Sequence, residues 1–220
     1  MPKETTEILF EELAKNQDDL GLFLDLHYGF DNFFRHLGIE FYETALWPGL
    51  QAQVKAHNQL HPQSQLQSKP APHSRLVDIG KWVSWLSVVA PSLWPEGLEV
   101  GLAGEHSGGI SGIYTQIVLN PVGKQEPATL KLFSAQSSVL IDKARQRFPG
   151  RKIGFNKDAI WFFYDAPYNS LSTKDGVLLM ARDVAINRKG EHKPDQENSL
   201  SGRYIEDLLT WAEIASQVFG

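Results

Sequence analysis

The chain has 220 residues and no cysteine, which excludes disulfides, thiolate nucleophiles and zinc–thiolate or iron–sulfur sites. Hydrophobic residues make up 42% of it and charged residues 21%, a composition typical of a folded domain rather than a disordered one. The net charge of −5 is unevenly distributed. Residues 1–50 carry ten acidic against three basic side chains, whereas residues 142–157 carry six basic against one acidic. Such opposite poles indicate either two partner surfaces or two regions that pack together.

The sequence shows no sign of a membrane or secretory segment. It contains no run of about 18 uncharged apolar residues, the length that a membrane span requires. The polar opening MPKETTE lacks the basic and apolar regions of a signal peptide. Together with the absence of cysteine, these features predict a soluble cytoplasmic protein that has no membrane association.

The first third of the chain is predicted to be helical, and it ends in a composition break. Asp31, placed before Phe33 and Leu37, is typical of a capped helix. The stretch that follows Asn58 is rich in Gln, Pro and Ser and poor in large apolar residues, which indicates a linker or long surface loop. The predicted organisation is a helical N-terminal subdomain (1–57), a linker or loop (58–74) and an α+β sheet domain (75–220).

The first element after this linker is predicted to be a helix. It is expected to begin at Ser74 and to end at Pro91, because Ser favours helix starts and Pro interrupts helices. Apolar residues at spacings of three and four place one face of this helix in the core. They are Leu76, Ile79, Val83, Leu86 and Ala90.

The hydrophobic period then changes from about 3.6 to two, which predicts strands. Residues 98–102 and 113–119 alternate as two strands of an antiparallel hairpin, joined by the glycine-rich segment 104–112. Leu130 and Leu132 predict a third strand. Further strands are predicted at 153–155, at the continuous apolar run 159–164, which suits a central strand, and at 177–186.

Two further helices complete the predicted fold. One is expected to begin at Ser137 or Ser138 and to end before Pro149, and the last covers about 201–219 with a broad apolar stripe. The sequence therefore predicts an α+β fold built on a mainly antiparallel sheet of five or six strands. N-terminal helices, one helix within the sheet region and a C-terminal helix accompany the sheet.

The glycine-rich segment is the first candidate for chemistry. It lacks the Gly-Lys-Ser/Thr ending of a phosphate-binding loop, and a strand rather than a dinucleotide-binding helix follows it. A plain hairpin connection is therefore the favoured interpretation. Glu105 and His106 are the catalytic candidates in this segment.

Histidine spacing gives a second candidate. His57 and His61 lie four residues apart, a spacing at which two histidines on a helix bind one metal ion. The zincin pattern needs Glu directly after the first histidine, where this chain has Asn58, and Pro62 follows at once. We therefore expect solvated histidines here, no metal site and no cofactor.

The basic segment 143–157 is the candidate binding surface. Its side chains are of the type that grips phosphates or an acidic partner, although cations near a helix C-terminus are also common on solvated faces. The binding candidates are Arg145, Arg147, Arg151, Lys152 and Lys157. Nucleic acid is a possible ligand of this segment.

A Mg²⁺-dependent nuclease is one form of this nucleic-acid alternative. Its core needs an acid and a Glu-x-Lys pair on neighbouring strands. The corresponding predicted strand, residues 128–132, has Lys131 but carries Thr129 where a metal-binding acid is needed. The analogy is therefore one of fold alone.

The leading functional hypothesis is a non-catalytic interaction module that binds a protein partner. This class includes adaptors, immunity or inhibitor proteins and subunits of cytoplasmic assemblies. The hypothesis depends on missing catalytic constellations, polarised charge and abundant aromatic residues. Two alternatives stay open. A nucleic-acid-binding protein or nuclease predicts oligonucleotide affinity that falls steeply with salt, and a small-molecule enzyme predicts a deep pocket with converging polar groups.

Overall fold

The computed structural model describes residues 36–70, 83–107, 110–119, 127–166, 168–169, 174–188 and 199–220. The contacts within the chain define two compact units, residues 1–37 and residues 38–220. Every strand and helix named below lies in the second unit. The predicted N-terminal helices before residue 36, including Asp31 and Phe33, lie outside the described residues. The predicted division at a 58–74 linker stays a prediction.

In the second unit, helices lie before, between and after two groups of strands. Residues 38–41 are α-helical, and a π-helical turn, Tyr42–Leu46, joins them to the α-helix Trp47–Leu60. The helices are α1 (Trp47–Leu60), α2 (Pro127–Arg147), α3 (Lys174–Arg188) and α4 (Leu200–Phe219). The strands are β1 (Gln67–Pro70), β2 (Val83–Val89), β3 (Leu98–Ser107), β4 (Ile110–Leu119), β5 (Gly154–Phe155) and β6 (Ala159–Phe163).

The six strands form one antiparallel sheet in the order β1-β2-β3-β4-β6-β5. This confirms the predicted α+β fold with its mainly antiparallel sheet. The predicted hairpin is the centre of the sheet, with β3 and β4 paired from Leu98 opposite Leu119 to Ser107 opposite Ile110. The glycine-rich segment therefore extends the hairpin instead of forming a long loop. Gly112 is needed there because a Cβ would lie 3.0 Å from Cδ1 of Phe163.

Three predicted elements have the wrong secondary structure. Residues 83–89 were expected in a helix but form β2, where Leu86 and Val88 pair with β3 and are fully buried. Residues 130–132 were expected in a strand but lie in α2, and residues 177–186 were expected in a strand but lie in α3. A short apolar run fits both the helical period and the strand period. The residues that pack against the run in the folded protein decide which structure forms.

The described part of the predicted linker, residues 58–70, is ordered by specific contacts. The side chain of Asn58, near the end of α1, donates to the Leu66 carbonyl at 2.9 Å and accepts from the Leu66 amide at 2.8 Å. These two hydrogen bonds reproduce the donor and acceptor pattern that a neighbouring strand would offer to Leu66. Leu66 is buried, and β1 follows it at the edge of the sheet. An edge strand tolerates Pro70, which has no amide to donate.

Helix α4 confirms the predicted C-terminal helix and packs against the sheet through a broad apolar face. Tyr204, Leu208 and Trp211 on this face are completely buried. The Trp211 ring lies 5.0 Å from the ring of Phe148 and 6.1 Å from that of Phe162 on β6. Aromatic side chains of this size bury large areas, so this contact is a major part of the core.

The N-terminus of α4 is held by a carboxylate from α3. Ser199 is the N-cap, and its hydroxyl accepts a hydrogen bond from the Gly202 amide. Asp183, which is only 2% exposed, accepts hydrogen bonds from the Ser201 amide and hydroxyl, both at 2.7 Å, and from the Ser199 hydroxyl at 3.0 Å. A negative charge at this end of a helix is favoured by the helix dipole. Asp183 therefore links α3 to the start of α4.

We predict that Asp183→Ala lowers the free energy of unfolding by about 2–4 kcal/mol, because two buried donors of Ser201 and the half-buried Ser199 hydroxyl lose a charged acceptor. Denaturation by urea measures the change. Asp175→Ala is the matched control, because Asp175 lies exposed in the first turn of the same helix and should cost less than about 1 kcal/mol. Equal costs for the two variants would contradict the proposed link.

Candidate functional site

The cations of the predicted binding segment fall into two groups, and the first is engaged within the protein. Arg147, at the end of α2, forms an ion pair with Glu213 of α4, with 2.5 Å between Nη2 and Oε2. Arg151 forms one with Asp165, also at 2.5 Å, and its guanidinium lies 5.4 Å from the centre of the Phe162 ring. The Arg151 side chain is only 16% exposed. These two arginines therefore have structural partners.

The second group points outward. Arg145 pairs only with Asp142 one turn earlier on α2, at 3.5 Å, and both side chains are mostly exposed. A pair of this kind contributes little to stability and exchanges readily for another partner. Lys152 and Lys157 are exposed, and within the described part of the chain neither makes an ion pair. The cations presented to a partner are thus Arg145, Lys152 and Lys157.

The two catalytic candidates of the glycine-rich segment lie on β3. The backbone of Glu105 pairs with Gly112, and that of His106 pairs with Ser111. The described residues of the segment, 104–107 and 110–112, therefore provide regular strand backbone. The side chains of Glu105 and His106 lie outside the described part, and their catalytic role stays a prediction.

A cluster of buried polar atoms that sequence reasoning missed lies on the packed face of α4. The Tyr164 hydroxyl, Oδ2 of Asp207 and the indole Nε1 of Trp211 are all buried and have no hydrogen-bond partner of good geometry. The sequence does contain a signal. Asp207 is three residues after Tyr204 and four before Trp211, so it shares their buried helix face.

Burial shifts the pKa values of two groups in this cluster, Asp207 and Tyr164. Burial raises the pKa of Asp207, while Arg203, with Nε 3.3 Å from Oδ2, and the Tyr164 hydroxyl act in the opposite direction. Burial, followed by the charge of Asp207, raises the pKa of Tyr164 well above its usual value. Tyr164 is therefore a neutral donor at physiological pH, and Asp207 is a carboxylate that is costly to keep charged.

A surface cleft of about 510 Å³ lies between α1 and β1. Its walls are mainly amide side chains, two of which, Asn58 and Gln65, are used in internal hydrogen bonds. The lining residues are Gln51, Val54, Lys55, Asn58, Gln59, Gln65 and Ser68. Lys55 is the only ionisable group among them, so this cleft has no pair of groups for acid–base chemistry.

Comparison of the chain with protein-family models, with characterised proteins and with solved structures gives no match. Among the residues that the structure describes, no three His, Asp or Glu side chains are placed to hold a metal ion together. In the same part of the chain, no helix has both the length and the apolar character needed to cross a membrane. The proposed function is therefore based on side-chain geometry.

We predict that Asp207→Asn gains stability relative to the unsubstituted protein as the pH rises from 3.8 through the raised folded-state pKa of Asp207. Because the folded-state pKa of Asp207 is raised above its usual 3.8, the native state binds more protons than the unfolded state over this window. The unsubstituted protein therefore loses stability through this group as the pH rises, whereas asparagine does not ionise. Urea denaturation at a series of pH values measures the difference.

The control for this experiment is Trp211→Phe, which removes the neighbouring indole N–H without changing any ionisable group. Its effect on the free energy of unfolding should stay constant with pH. A constant difference for Asp207→Asn over the same range would contradict the burial of a charged carboxylate in this cluster.

Proposed function

We propose that this chain is a non-catalytic interaction module that binds an acidic amphipathic helix of a partner protein along the exposed face of α2. The observation that carries the proposal is a line of apolar side chains on that face, which we call the α2 stripe. It consists of Ala128, Leu132, Ala135 and Val139.

The α2 stripe has the spacing of a helix-binding surface. Its members are separated by four, three and four residues, so they lie on one side of the helix. Leu132 is 44% exposed and Val139 43% exposed, and both alanines are exposed as well. Apolar residues in scattered single positions are ordinary on protein surfaces, but an aligned row on a helix is typical of pairing with another amphipathic helix.

The core uses the other side of α2, so the stripe is not needed for folding. Phe133, Leu140, Ile141 and Ala144 are buried on that side. The helix packs mainly against α4 and also contacts β6. Substitutions in the stripe should therefore leave the fold intact, which makes the surface open to a direct test.

Charge defines the chemistry of the partner. Residues 127–152 carry six basic side chains against the single carboxylate of Asp142. Arg147 and Arg151 have ion-pair partners and Lys143 donates to Gln217, which leaves three cations for a partner. Lys131 is exposed beside the stripe, and Arg145 and Lys152 continue the positive charge beyond its C-terminal end. An acidic partner is favoured because complementary charges steer association and suppress wrong partners.

The two alternatives have less support from the geometry. The nuclease analogy needs Lys131 on a strand, but Lys131 lies on the exposed surface of α2. Nucleic-acid binding by the basic segment would have to proceed without Arg147 and Arg151, which have internal partners. A small-molecule enzyme needs converging ionisable groups, which the cleft beside α1 does not provide.

We predict that Leu132→Asp together with Val139→Asp reduces recovery of a stoichiometric partner at least tenfold in a pull-down from native extract. The new carboxylates remove apolar contact and repel an acidic helix. Leu178→Asp is the matched control, because Leu178 is 58% exposed on α3, away from the stripe. Circular dichroism should show all variants folded, since exposed substitutions change stability by only about 0.5 kcal/mol.

A synthetic peptide completes the test. The recovered protein should contain an acidic amphipathic helix, and a peptide of that segment should bind the unsubstituted chain and the Leu178 variant but not the stripe variant. Equal recovery by all three proteins, or no recovered partner at all, would overturn the proposal.

Nucleic-acid binding is tested with the same proteins. We predict no binding of a random 20-nucleotide single strand at 50 mM salt, because only a few cations point outward. Salt-sensitive binding that is lost when Lys152 and Lys157 are both changed to Glu, but kept in the stripe variant, would favour the nucleic-acid alternative instead.

A further inference from the structure

Two histidines at the end of α1 have the arrangement of a chelating pair. His57 and His61 are four residues apart, and their ring centres are 4.7 Å apart with the planes tilted by 41°. A metal ion bound to two imidazole nitrogens at about 2.1 Å from each holds the ring centres about 5 Å apart. The rings are therefore already close to the separation that a shared ion requires.

The protonation state of His57 is the one that metal binding requires. Its Nε2 atom is out of contact with solvent and has no hydrogen-bond partner. Burial lowers the pKa of His57, and the nearby His61 lowers it further. The imidazole is therefore neutral at physiological pH and keeps an uncommitted lone pair, which is the form that binds metals.

Two negative groups near the pair would attract a cation, although burial opposes charge on His57 itself. The C-terminal end of a helix carries a partial negative charge, and both histidines lie at the end of α1. Glu213 of α4 is close enough to act on the charge of His57, although its own ion pair is with Arg147. A cation at the pair would gain from both groups without requiring either as a ligand.

We propose that His57 and His61 bind one divalent transition-metal ion of the Zn²⁺, Ni²⁺ or Cu²⁺ class, with water completing its coordination on the side of the exposed His61. This class prefers imidazole nitrogen, whereas Mg²⁺ and Ca²⁺ prefer oxygen. No third protein ligand is placed beside the pair among the described residues. The site is thus open, and its affinity is set by two ligands.

The test is titration of the full chain with ZnCl₂ or NiCl₂ alone, by isothermal calorimetry at pH 7.5. We expect one ion per chain at the pair, and at least tenfold weaker binding in His57→Gln and in His61→Gln. His61 is exposed, so its variant tests the site without disturbing the core. His36→Gln is the matched control, since His36 is also exposed and should bind as the unsubstituted chain does.

Thermal unfolding gives a second readout. Metal at 100 times its dissociation constant should raise the melting temperature by several degrees, because only the native state holds the two rings together. The rise should disappear in both pair variants and persist in His36→Gln. Absent binding, or binding and stabilisation that are unchanged in His57→Gln and His61→Gln, would overturn the proposal.

Discussion

The packing of α4 on the sheet is the constraint on which the rest of the structure depends. The helix begins where Ser199 and Asp183 satisfy its first amides. It buries Trp211 against Phe162 of β6, and Tyr204 against Tyr164, which follows that strand. It also contacts α1, α2 and α3. Because one helix serves as the common partner of three others, each of them turns a single face inward. The face that each turns outward is then available for other roles.

The surface features follow from this arrangement. In α2, the inward face supplies Phe133 and Ile141 to the core, which leaves the α2 stripe exposed on the opposite side. Glu213 of α4 pairs with Arg147, so the positive charge that remains for a partner beside the α2 stripe is that of Lys131, Arg145 and Lys152. Glu213 also acts on the charge of His57. The proposed docking surface and the proposed metal pair are therefore both consequences of where α4 lies.

Parts of this structure were predictable from the sequence, because they repeat a clear period over many residues. The β3–β4 hairpin and α4 are examples, and the sheet of antiparallel strands followed from them. Residues 83–89 and 177–186 were not predictable, since runs of this length fit a helix or a strand and the pairing partner decides. The candidate site was likewise predictable only in part. Charge counting found Arg147, but its partner Glu213 is 66 residues away, and the pKa of Asp207 is affected by Tyr164, which lies outside α4.

The most direct test of the account is a photo-crosslinking amino acid placed at position 132, compared with the same residue at position 178. Both positions are exposed on helices, but only position 132 lies in the α2 stripe. After irradiation of native cells, mass spectrometry would identify the attached peptides. The account predicts that position 132 attaches to an acidic amphipathic helix of one protein and that position 178 does not. Equal crosslinking from both positions, or attachment of position 132 to nucleic acid, would contradict it.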